Sequence, residues 1–297
     1  MKKESDMMNK TGFAVFDQTA YFYPYAAQCI QPVKNSWFYR GVKKTAKIFD
    51  AALPKIFINP AIFEFGRLVI CDSAMSVGFG NFLHKYFNQQ QTALYYMNVI
   101  DADNEKYMQY FKNIYTFDYA DAVKYQIGYR HTPYKKIAGI EIETIETENR
   151  SDSYDVLYLG KEKGRKDSIQ CIYDALIQNG LKVKFMVPGS GNSDLAIQTS
   201  VKYQDYISMI SKTKCLAEVN VSGQSGCSLR FLEALFYKKK LITNNRYLVN
   251  DPYYDHKNVF IIGMDDMGRL REFVDTPYVI PDQSLEALEF DFWLEHF

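Results

Sequence analysis

Apolar residues along this chain fall into short continuous runs, and between the runs lie stretches with helical spacing. "RLVICDS" at 67–73 is apolar without alternation and ends on Asp72, as expected of a strand buried on both faces. "SVGFGNFLHKYFNQ" follows as a glycine-containing loop that opens a helix. "TALYYMNVI" reads as a second strand, and "NIYTFDYADAVKY" as a third running into a helix. Upstream, "WFYRGVKKTAKIFDAAL" carries a helical period. "TAYFYPYAAQCIQP", with two prolines, is irregular, so the first strand of this half is expected to be poorly formed or absent. Strands alternating with helices at these intervals predict an α/β fold with mostly parallel sheet.

The alternation stops at "EIETIETENRSDS", residues 141–153, which is acidic, polar and without a helical period. Such a stretch reads as a linker. Beyond it come a strand "YDVLYLG", a polar loop "KEKGRKD", a helix "SIQCIYDALIQNG" closing on Gly180, and a strand "LKVKFMVPG". A helix "YQDYISMISKT" and a strand "CLAEVNV" complete the restart. The expected division is therefore an α/β domain over 1–145 and a second over 146–297, the latter carrying a C-terminal helix in "SLEALEFDFWLEHF". Ligands of open α/β sheets gather at the carboxyl ends of the strands. Three polar loops leave strands in that direction: 160–167, 188–200 and 221–228.

Composition narrows the class. Lys+Arg of 35 balances Asp+Glu of 35, which speaks against a nucleic-acid partner. Five cysteines without a CxxC pair, and four scattered histidines, fit a reducing compartment and argue against a zinc site. The start "MKKESDMMNK" leads into no apolar segment, and no run approaches the length of a membrane span, so the expected location is the cytoplasm. An aromatic share of 16%, with 24 Tyr and 21 Phe, suits either a sugar cleft or a tyrosine-rich core.

The stretch with the most chemistry is "EVNVSGQSGCSLRFLEALFYKKKLITNN", from Glu218 to Asn245. A helix is expected to start near Ser228. Its first backbone N–H groups, with the hydroxyls of Ser225 and Ser228 beside Gly226, form a place for a phosphate. At roughly 100° per residue, Arg230, Glu233 and Tyr237 share one stripe while Phe231, Leu232 and Leu235 point to the core. Glu233, a turn into the helix, is placed to accept from vicinal ribose hydroxyls. A plain capped helix with an Arg230–Glu233 pair at i,i+3, contributing a few tenths of a kcal/mol, is the competing reading. The loop "GKEKGRK" adds Lys161, Lys163, Arg165 and Lys166 at another strand end, where cations can neutralise a diphosphate. It matches neither the Walker pattern nor GxGxxG.

"YLGKEKGRKDSI", "YQDYISMISKT" and "GQSGCSLRFLEALFYKKKLITNN" together resemble the donor-binding domain of GT-B glycosyltransferases, in particular bacterial enzymes of lipopolysaccharide and capsular polysaccharide synthesis. The resemblance covers about 155–280 and implies two Rossmann-like domains facing across a cleft. It implies a diphosphate contact for Ser228, Leu229 through its backbone, and Arg230, a ribose contact for Glu233, and further diphosphate contacts for Arg165 and Lys166. The first half is similar to the acceptor domain only through "YYMNVI" and "YTFDYADAVKY". The chain departs from the commoner pattern of paired glutamates near this helix: position 225 is Ser.

The resemblance implies a metal-independent transferase of the hexosyltransferase type with no cofactor. Its substrate is a nucleotide-sugar, a UDP-sugar first, and its acceptor a saccharide or lipid-linked saccharide. An inverting reaction needs a base from the first domain. Asp72, at a strand end, is the first candidate and Asp17, after "FAVF", the second; Asp118 and His131 follow. Gly78 and Gly80 are places where backbone approaches a ligand or simply turns. Basic and aromatic residues around 34–47 offer a peripheral contact with the inner face of a membrane. Two other readings stay open: a nucleotide-sugar 2-epimerase, and a non-catalytic partner that binds a sugar nucleotide.

Overall fold

The computed structural model describes residues 10–15, 28–33, 37–137, 153–189, 195–197 and 201–297. It divides into two compact units, Met1–Lys135 with Ala287–Phe297, and Lys136–Glu286. The join expected at 145/146, and the linker residues up to 152, lie outside the described residues.

The first unit holds a six-stranded sheet in the order β2-β1-β3-β4-β5-β6, every neighbouring pair parallel. The strands are β1 (Thr11–Ala14), β2 (Cys29–Ile30), β3 (Arg67–Cys71), β4 (Thr92–Tyr96), β5 (Asn113–Thr116) and β6 (Gly128–Tyr129). Side chains alternate across this sheet, as a strand's period of two requires. Leu68, Ile70, Leu94 and Tyr96 join one core with Phe79 and Phe82 of the helix Val77–Tyr86. Val69, Cys71 and Tyr95 join another with Phe290 and Trp293 of the helix Phe290–Glu295. Both faces are thus covered, which explains the continuous apolar runs.

One expectation fails here. β1 is well formed and lies inside the sheet, between β2 and β3, with Phe13 and Ala14 fully buried. A strand of only four residues is too short to show in a periodicity reading. The C-terminal helix lies with the first unit, although in sequence it follows the second half. Phe13 meets the rings of Phe290 at 5.7 Å and Trp293 at 5.8 Å, and the Trp293 indole donates to the His131 carbonyl at 2.9 Å.

The second unit repeats the architecture with the order β12-β11-β10-β7-β8-β9, again parallel throughout. Its strands are β7 (Tyr154–Leu159), β8 (Val183–Pro188), β9 (Ala196–Ile197), β10 (Thr213–Glu218), β11 (Lys240–Thr243) and β12 (Val259–Ile261). Ile169, Ile172 and Leu176 of the helix Lys166–Gln178 pack with Val156 and Tyr158, and Leu270 and Val274 complete that layer. Gly180 takes φ of +70° just past the helix end, the left-handed turn that glycine adopts without strain. The helices Tyr203–Ile210 and Leu229–Phe236 contact the central strands β7, β10 and β11.

In chain order the second sheet reads 3-2-1-4-5-6 from β9 to β12, the doubly wound arrangement. The direction of winding reverses between β7 and β10. In the first sheet it reverses between β1 and β3. Crevices form outside the carboxyl ends of the strands at such reversals.

Candidate functional site

The reversal in the second sheet brings together the loop after β7 and the loop after β10. Arg165 ends the first loop and stands at the N-terminal boundary of the helix Lys166–Gln178. Its guanidinium donates to the Val219 carbonyl, just past β10, and to the Lys161 carbonyl at 3.0 and 3.3 Å. Arg230 does the converse from the other loop. Its Nε and Nη2 donate to the Leu159 carbonyl at the end of β7, at 3.2 and 3.0 Å, and Nη1 bonds Glu233. The two arginines therefore cross the reversal in opposite directions. Each carries its charge to where the strands end.

The remaining cations gather on the same side. Lys161, Lys163 and Lys166 are exposed on the loop or at the first helix position. Desolvation lowers the pKa of Lys163, and the charges of Arg165 and Lys161 add to the effect. A cluster in which cations repel one another binds an anion favourably.

Ser228 caps the helix Leu229–Phe236, its Oγ accepting from the Arg230 N–H at 3.1 Å. The loop before it is stitched to β11. The Gly226 carbonyl accepts from Asn220 Nδ2 at 3.3 Å, Gln224 Nε2 at 3.1 Å and Asn245 Nδ2 at 3.4 Å. Asn245 Nδ2 also reaches the Ser225 carbonyl at 3.3 Å. Asn220 is buried, and its Oδ1 has no hydrogen-bond partner among the described residues.

Two carboxylates lie under this loop, and only one was expected. Glu218, 1% exposed at the end of β10, accepts from the Ser228 N–H at 3.1 Å and from the Thr243 hydroxyl at 2.6 Å. Burial raises its pKa; the bonds from Ser228 and Thr243 and the charge of Arg165 oppose the rise. The signal was present in "CLAEVNV": an acid inside an otherwise apolar strand must have donors waiting. Glu233 was expected on a polar stripe, but it is fully buried. The helix Tyr203–Ile210 covers it: Tyr203 donates to Oε1 at 2.8 Å and Tyr206 to Oε2 at 3.2 Å. The Arg230 guanidinium also stacks 4.2 Å from the centre of the Tyr206 ring. A ribose hydroxyl reaching Glu233 has to displace the Tyr203 hydroxyl.

In the first unit, Asp72 stands at the end of β3, beside the reversal. Its Oδ1 accepts from the Met97 N–H at 2.9 Å and from the Cys71 thiol at 3.4 Å, and Oδ2 from Asn98 Nδ2 at 2.8 Å. Burial raises its pKa against these bonds. The carboxylate ties the ends of β3 and β4 together. Asp118 is the buried cap of the helix Tyr119–Tyr125, accepting from the Asp121 N–H at 3.1 Å. Asp17 lies outside the described residues. Gly78 and Gly80 are helical and packed from outside: a Cβ on Gly80 meets the Tyr110 ring at 2.5 Å, and one on Gly78 meets Ala46 at 2.8 Å.

Of the residues read from the sequence, Arg165, Lys166, Ser225, Gly226, Ser228, Leu229, Arg230 and Glu233 share the carboxyl end of the second sheet. No helix among the described residues is long and apolar enough to cross a membrane.

No protein-family model matches the chain, and no curated protein matches it in sequence. Among solved structures it is similar to a chain of the "Glycosylation Associate Protein (Gap123) complex" from Streptococcus agalactiae, at 9% identity and a TM-score of 0.36. The match covers 70% of this chain and 47% of that one, so it spans about half of the neighbour's length.

Proposed function

We propose that the chain is a glycosyltransferase of the GT-B type. It takes a sugar from a nucleotide-diphosphate donor, a UDP-sugar first, and passes it to a glycan or lipid-linked saccharide in surface polysaccharide synthesis. The observation that carries this reading is the pair of arginines crossing the β7–β10 reversal, with Lys161 and Lys163 beside them. In transfer, the bond from the sugar's anomeric carbon to the diphosphate breaks and a bond to the acceptor oxygen forms. The diphosphate leaves as an anion, and fixed cations stabilise the charge that develops on it. Arg165, Arg230 and the lysines supply that charge without a metal. The acceptor's proton goes to a carboxylate, for which Asp72 is the candidate, its raised pKa suited to a base.

A non-catalytic sugar-nucleotide-binding partner is the second reading, and the closed carboxylates favour it. Both Glu233 oxygens and both Asp72 oxygens already accept hydrogen bonds from the protein. Calorimetric titration with UDP and with uridine, beside product analysis with labelled UDP-sugars, separates the two. Arg165→Ala is expected to weaken UDP by roughly 10-fold or more and uridine far less, since its partner is phosphate. Asp72→Asn is expected to lower transfer about 10²–10⁴-fold with UDP affinity kept. UDP binding without transfer or hydrolysis supports the partner reading. Absence of UDP binding overturns both.

A further inference from the structure

The three most exposed large apolar side chains among the described residues are Ile48, Phe49 and Ile56, each 73% exposed. Ile48 and Phe49 stand where the helix Trp37–Ile48 ends, and Ile56 follows in the short 3-10 turn Lys55–Phe57. That helix reaches the core of the first unit through Val42 and Ala46, while Lys43, Lys44 and Lys47 stand in solvent. Beyond it the chain is pinned to the helix Val77–Tyr86. Asn81 Nδ2 donates to the carbonyl and the carboxylate of Asp50, both at 2.9 Å, and the Leu53 N–H donates to the Gly78 carbonyl at 2.8 Å. The backbone between Ile48 and Ile56 is thereby anchored at Asp50 and Leu53.

Phe63 (45% exposed) and Tyr86 (39%) add two exposed rings beside Lys55, the chain neighbour of Ile56. Lys55 joins them, its ammonium 4.4 Å from the centre of the Tyr86 ring and 6.0 Å from that of Phe63. Charge is lopsided here. Positions 43–64 carry Lys43, Lys44, Lys47 and Lys55 against Asp50 and Glu64, in a chain whose formal net charge is +0.

We infer that this surface docks on an anionic lipid bilayer. Apolar side chains at the end of a helix whose exposed side carries lysines are the chemistry of interfacial insertion: the apolar groups enter the headgroup boundary and the ammonium groups pair with lipid phosphate. An uncharged partner leaves the lysines unanswered, and a purely ionic one leaves Phe49 and Ile56 in water. The inference does not depend on any nucleotide, so it stands or falls apart from the proposed activity.

Co-flotation of the full chain with vesicles of phosphatidylglycerol and phosphatidylcholine in equal parts, against phosphatidylcholine alone, tests it. The expected result is binding to the anionic vesicles only, declining as salt is raised. Changing Lys43, Lys44 and Lys47 together to Gln is expected to lower the partition coefficient on the order of 100-fold. Phe49→Ser and Ile56→Ser should each lower it about ten-fold, with melting temperatures unchanged because these side chains bury little in the fold. Equal binding to both vesicle types, binding to neither, or variants that float like the wild type overturns the inference. So does a dimer in light scattering that the same variants dissociate, since the patch then serves a second copy of the chain.

Discussion

Asp72, Glu218 and Glu233 are buried carboxylates, and each is held by donors from a neighbouring element. A buried carboxylate is tolerated only with such partners; at Asp72 and Glu218 burial outweighs them and the carboxyl holds its proton more strongly than in water. Glu218 makes this testable. Burial raises its folded pKa above the ordinary 4.5, so the folded chain binds the proton more tightly than the unfolded chain does. Its contribution to stability is then fully present below about pH 4.5 and is lost as pH rises through the folded value. Glu218→Gln cannot ionise, and its amide still reaches Ser228 and Thr243. The melting temperature of the variant relative to wild type is expected to climb as pH goes from 4.5 to 8, read by calorimetry across that range. Asp72 is raised in the same direction in both proteins and drops out of the difference. A variant that loses ground as pH rises would mean that Arg165 holds Glu218 ionised.

Element boundaries followed from local chemistry, but element partners did not. Ser228 was recognisable as a cap and Gly180 as a stop, because both act on their own helix. Gly78 and Gly80 read as a close approach of backbone to a ligand or as a plain turn. They lie inside a helix, and their absent side chains are room for Ala46, Leu53 and Tyr110. Gly80→Ala improves helix propensity by about 1 kcal/mol, yet its new Cβ would lie 2.5 Å from the buried Tyr110 ring. Overpacking of this kind costs about 1–3 kcal/mol, so the net effect expected is a loss of stability in urea denaturation. A gain would mean that Tyr110 yields freely.

Over the whole molecule, two parallel sheets each reverse their winding once; Arg165 and Arg230 meet at the reversal of the second sheet and Asp72 stands beside that of the first. The last helix completes the first unit. Trp293 is 4% exposed, with its ring 5.0 Å from Tyr95 and 5.8 Å from Phe13. Trp293→Ala is expected to cost about 3–5 kcal/mol, as a large aromatic removed from a core does, seen as an earlier midpoint in denaturant. An unchanged midpoint would detach the helix Phe290–Glu295 from that core.

Hydrophobic runs and helical spacing were enough to announce most strands and helices, the restart of alternation after the acidic stretch, and the basic loop with its capped helix. These are properties of residues near one another in the chain, and period, caps and breakers express them directly. β1 escaped because four residues are too few to show a period. Strand order rests on pairing between distant segments, and no local pattern encodes it. Without that order, Arg165 and Arg230 are two cations 65 positions apart; with it, each reaches the strand end from which the other's loop departs. Glu233 was legible as a carboxylate on a helix, but Tyr203 and Tyr206 close over it from another helix. Only the folded chain brings those hydroxyls within bonding distance, and so only tertiary structure decided that the acid is enclosed.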